Sequence, residues 1–119
     1  MHIRYTDQPD GIRTIELAGS MDMNGAESID LRFTALTSTE RGFVIIDLSQ
    51  VDFLASLGIA TLMRSAKAIR LRDGYMVLLN PQPNVAEVLR STAIDRVLPI
   101  FYDVEEARIA VRTARPAVR

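Results

Sequence analysis

The sequence predicts a single α/β domain: a small mixed β-sheet of about five strands packed with about four helices. Three observations carry this. Residues 43–48 and 75–79 are near-continuous apolar runs, the pattern of interior strands covered on both faces. Each is followed by apolar residues at helical spacing. Near the N-terminus, two alternating segments flank the turn residues 7–11, a hairpin that adds an antiparallel pair to the sheet.

Taken in order, His2, Ile3, Arg4 and Tyr5 alternate as a short edge strand, and residues 13–17 return with Ile15 and Leu17 on one face. Met23, Asn24 and Gly25 introduce a helix carrying Ala26, Ile29, Phe33 and Leu36. After the run at 43–48 the expectation is a short turn, with Asp47 and Asp52 as turn acids. A helix then starts at or just after Ser56. It buries Ile59, Leu62, Met63, Ala66 and Ile69, and Asp73 with Gly74 stops it. Arg64, Lys67, Arg70 and Arg72 read as its solvated face. The run at 75–79 ends at Asn80 and Pro81, and Asn84 is the expected cap of a helix with Val85, Val88 and Leu89. Residues 97–101 form a last strand, placed at an edge by Pro99. Asp103, followed by Glu106, opens a final helix over Ala107, Ala110 and Val111. The domain is expected to span 1–111, with 112–119 a flexible basic tail.

Composition narrows the function. The 119 residues are 48% hydrophobic with a formal net charge of −1, enough for a core and without the basic footprint of a nucleic-acid binder. Cysteine is absent and His2 is the lone histidine, which argues against thiol, triad or histidine-metal chemistry. No catalytic residue, metal site or cofactor site is expected. No apolar run approaches the roughly 18 residues of a membrane span, and the N-terminus lacks a secretory pattern. The expectation is a cytoplasmic protein.

Ser56 is the most informative position. A serine at a helix start can cap the first free amides. The same place suits a phosphate, because helix N-termini favour anions. Both readings stand on the residues alone.

The stretch from Asp47 to Ile59 resembles the signature of STAS domains of the bacterial anti-sigma factor antagonist family: an apolar strand, a polar turn, an aromatic residue, then Asp-Ser-Ser/Thr-Gly opening a helix. Ser56 falls on the phosphorylated serine and Gly58 on the glycine. Ala55 replaces the aspartate and Leu57 the second hydroxyl residue. Gly19, Ser20, Met21 and Asp22 resemble the family's Gly-Glu-Leu-Asp turn. Leu79, Asn80 and Pro81 resemble its Asn-Pro turn. The resemblance implies a non-enzymatic interaction switch. Its partner would be an anti-sigma factor with serine kinase activity, opposed by a PP2C-type phosphatase. Its partner-binding residues would be Asp22, Ala55, Ser56, Leu57 and Gly58. Asp22 could instead cap the helix after it, and Gly58 could serve close packing. Leu57, roughly 500° of rotation from Leu62, lies near the end of the exposed face and reads as an apolar anchor. A STAS subunit of another assembly (a stressosome-like scaffold or a lipid-transport ATPase complex) is the alternative. A small enzyme or nucleotide-binding domain is a third reading.

Overall fold

The computed structural model describes residues 1–38 and 42–114. The elements are β1 (His2–Asp7), β2 (Ile12–Met21), α1 (Met23–Thr37), β3 (Phe43–Leu54), α2 (Ser56–Leu71), β4 (Tyr75–Leu79), α3 (Pro83–Ser91), a 3-10 turn at Ile94–Arg96, β5 (Ile100–Phe101) and α4 (Val104–Thr113). The sheet runs β1-β2-β3-β4-β5. β1 is antiparallel to β2, and every other pairing is parallel. The mixed α/β sheet predicted from sequence is therefore present, with four helices around it.

The two faces are covered unequally. Ile15, Leu17, Val44, Ile46 and Leu78 pack under α1, α2 and α3, which contribute Phe33, Leu62, Ile69 and Leu89. On the other face α4 alone lays Ala107 and Val111 over Ile12, Ile45, Val77 and Leu79. Strands β3 and β4 are thus buried on both sides, as their apolar runs required.

Four expectations need correction. The turn expected after residue 48 is strand: β3 continues to Leu54, paired with the end of β2. The register passes from Glu16↔Asp47 to Ala18↔Gln50, and from Gly19↔Val51 to Ser20↔Phe53. Each step inserts one extra residue into β3, a β-bulge. Leu48, Val51 and Leu54 consequently share one core at a spacing of three rather than two. Asp47 bonds its carboxylate to the Ser49 amide at 2.9 Å inside the first bulge, so it is no turn acid. The last strand is only Ile100–Phe101, because residues 94–96 close a 3-10 turn that buries Ile94 and Leu98. Asn84 does not cap α3: Gln82 occupies that position and Pro83 is the first helical residue, where its missing N–H costs nothing. α4 ends at Thr113, and of the tail expected at 112–119, residues 115–119 lie outside the described residues.

Ion pairs tie the hairpin to the rest. Asp7 holds Arg13 through two bonds of 2.7 and 3.0 Å, and Arg13 also donates to the Leu36 carbonyl at 2.9 Å. Asp10, in the β1–β2 turn, accepts from the Ile12 amide at 3.1 Å and from Arg108 of α4. Arg112 stands 3.7 Å away. Burial raises the Asp10 pKa, but the Ile12 amide and the charges of Arg108 and Arg112 outweigh it, leaving Asp10 below the usual 3.8. The hydrogen bond from Arg13 lowers Asp7 in the same way.

A lowered folded-state pKa gives stability that is complete above the unfolded value and lost as pH falls through the folded one. Stability should therefore hold down to about pH 4 and then decline. Asp10→Asn should cost about 1 kcal/mol at neutral pH, since the pair is only partly buried, and should flatten that acid limb. Urea denaturation at a series of pH values checks both.

Candidate functional site

The end of the sheet where the parallel strands finish gathers the predicted residues. β3 reaches Leu54, and the Ala55 amide donates to the Met21 carbonyl at 3.0 Å, joining the two loops. α2 starts at Ser56. Its N-cap is Ala55, extended at φ −103 and ψ 175, whose carbonyl accepts from the Ile59 amide at 3.1 Å. The capping role expected of Ser56 is thus overturned. Ser56 is the first helical residue, one position too late for its hydroxyl to act as cap, and among the described residues α2 has no side-chain cap. Its side chain is exposed.

Around it, Asp22 caps α1 by accepting from the Gly25 amide at 2.8 Å. A side chain at Gly25 would collide with the Ser20 carbonyl oxygen, so the cap needs glycine there. Gly58 is buried: a Cβ would stand 2.8 Å from both Met21 Cγ and Leu54 Cδ1. Its lack of a side chain serves the close packing of α2 on the strand ends. Ala55 is half-buried. Leu57 is 37% exposed and lines a cavity of about 180 Å³ between α1 and α2, with Ala26, Glu27, Asp30, Thr61 and Arg64.

Sequence reasoning missed several parts of this end. Ser20 donates to the Asp52 carboxylate at 2.7 Å, Asn84 donates to the Asp52 carbonyl at 2.8 Å, and Gln82 donates to the Ser49 carbonyl at 3.0 Å. These bonds clamp the end of β3 from both sides. Met23 and Phe53 are 62% and 50% exposed. Large apolar side chains in the open at the ends of the strands are the kind of surface that marks protein contact. The only available signal was the aromatic residue preceding the serine. Arg64, Arg70 and Arg72 lie on the exposed face expected of them, and from it they also donate to Asp30, the Val97 carbonyl and the Thr37 carbonyl. Among the described residues, no group of His, Cys, Asp and Glu could hold a metal, and no helix is long and apolar enough to cross a membrane.

Removing the Ser56 hydroxyl should leave stability within about 0.5 kcal/mol, because it caps nothing. Gly58→Ala should cost ~1–3 kcal/mol by overpacking. Thermal denaturation of the two variants gives the comparison. A larger loss for Ser56→Ala than for Gly58→Ala would contradict the geometry.

Comparison with known proteins agrees with this architecture. The chain is 28% identical over 110 residues to a Bordetella bronchiseptica protein named as an anti-sigma factor antagonist, BtrV, covering 92% of this chain and 95% of that one. It superimposes with a TM-score of 0.81 on a STAS-domain anti-sigma-factor antagonist from Planctomyces limnophilus, 29% identical, covering 92% of this chain and 97% of the other. A Mycobacterium paratuberculosis anti-sigma factor antagonist gives a TM-score of 0.83 at 24% identity, with 93% of each chain covered. The STAS-domain family model matches residues 5–107, a span that includes the whole Ser56 end, and the chain belongs to the STAS-domain family.

Proposed function

We propose that this chain is an anti-sigma factor antagonist, a non-enzymatic switch. Its Ser56 end docks on an anti-sigma factor with serine kinase activity and is released when Ser56 is phosphorylated. The observation that carries the reading is the exposed Ser56 at the uncapped start of α2, flanked by the exposed side chains of Phe53 and Leu57. The names of the similar proteins support it. A Bacillus relative, SpoIIAA, with a TM-score of 0.68 and 16% identity, has been solved in a phosphorylated form.

The physics follows from position. A phosphoryl group adds about −1.5 to −2 charges. At the first turn of α2, free backbone amides can partly satisfy it, so the fold tolerates it. A partner packed flush against Phe53 and Leu57 would have to desolvate it, and the complex would open. ATP belongs to the partner. A PP2C-type phosphatase resets the switch. Asp22 and Ala55 sit at the same end, half-buried, within reach of a docked surface.

Ala55 and Leu57, in place of the family's acidic and hydroxyl residues, favour a second reading. In it the chain is a STAS subunit of a stressosome-like scaffold or a lipid-transport ATPase complex, with Ser56 unmodified.

One experiment separates them. The anti-sigma factor encoded nearest this gene is purified, incubated with the chain and ATP, and the modified residue is located by mass spectrometry. Ser56→Asp should weaken the complex at least about tenfold, ~1.4 kcal/mol, while Ser56→Ala binds like the wild type. Equal binding by the two variants, or phosphate on another residue, would sink the switch and leave the scaffold reading.

A further inference from the structure

The cavity between α1 and α2 is a groove with an apolar floor and charged rims. On α1, Met23, Glu27 and Asp30 follow one another at helical spacing. On α2, Leu57, Thr61 and Arg64 do the same. Ala26, Leu57 and Thr61 supply its lining, and the bond from Arg64 to Asp30, 2.5 Å, closes its far end. Leu57, the residue after Ser56, lines the groove. The volume of about 180 Å³ holds several waters or one branched aliphatic side chain.

Charge selects the occupant. Arg64 is committed to Asp30, so Glu27 leaves the rim with a net negative charge; it is exposed and forms no ion pair among the described residues. From the last two residues of each parallel strand through the first turn of the next helix, no lysine or arginine occurs. Asp22, Asp103, Glu105 and Glu106 do occur there. Helix capping accounts for Asp22 and Asp103. It does not account for Glu27, which lies beyond the first turn, where the helix dipole has faded.

We infer that this groove seats one aliphatic side chain of a partner segment whose neighbouring residues are lysine or arginine, with the cation meeting Glu27. The inference rests on the Ser56 end being a partner surface and names the chemistry of the partner. The aliphatic group fills the space over Ala26 and Leu57, and the basic stem lies along the rim with its charged head in water. An acidic segment of the same shape is rejected by like charge.

The test uses the full chain and two synthetic 12-residue peptides, each with one central leucine, flanked by lysines in one and by glutamates in the other. Amide shifts are followed by NMR. The lysine peptide should shift Ala26, Glu27, Leu57 and Thr61, and the glutamate peptide should not. Glu27→Gln should weaken the lysine peptide by about threefold, the size of an exposed ion pair, with the remaining spectrum confirming that the variant is folded. Equal shifts with both peptides, shifts confined to other surfaces, or none at low millimolar peptide would overturn the inference. The peptide measurement involves no kinase and no modification of Ser56. A failed peptide therefore leaves the Ser56 switch standing, and a failed switch with an intact peptide response leaves the groove standing.

Discussion

The end of strand β3 governs the molecule. Two extra residues are accommodated against β2 as bulges, and they carry the strand up to Leu54 with its apolar residues still facing the core. The Ala55 amide then bonds the Met21 carbonyl, and Gly58 settles against Met21 and Leu54. After that α2 can start in only one place. The positions of Ser56 and Leu57, and the width of the groove toward α1, follow from this junction. Without the bulges, pairing would end earlier or the buried set at 48, 51 and 54 would alternate between faces.

Parallel topology then sets the electrostatics. Strands β2 to β5 all point the same way, so every following helix begins at one end of the sheet. Helix starts favour acids and helix ends favour bases. The sequence obeys: Asp22 and Asp103 cap at one end, while Arg70 and Arg90 lie in last turns at the other. In a chain with a net charge of −1, the residues that complement the helix ends are therefore sorted along the strands. The polarity stabilises the helices, and it gives the Ser56 end a negative field that a basic partner would feel before contact.

Much of this was legible in the residues. The apolar runs at 43–48 and 75–79 betrayed the two central strands, and Asp103 announced α4, because those signals are local. The continuation of β3 was not legible. Asp47, Ser49, Gln50 and Asp52 look like turn residues, and the bulges that make them strand depend on β2, thirty residues away. Asn84 was misread for the same reason. As a polar residue after a proline it looks like a cap, whereas its amide serves the Asp52 carbonyl across the loop. The site was legible in position and illegible in role: the spacing located Ser56 within a residue, but which residue caps α2 turned on a single extended pair of dihedral angles at Ala55.

That detail bears on how a switch could work here. A serine one position earlier would be bonded into the helix start, contributing ~1 kcal/mol, and modifying it would remove a bond that holds the fold. In this chain the start of α2 is held from beneath, by the Met21 carbonyl and by the packing of Gly58, with Ser20, Gln82 and Asn84 bracing the strand below. The serine hydroxyl carries none of that load. Its charge state could change while the backbone that presents it stays in place, so a modification there would act on a docked surface and not on the fold.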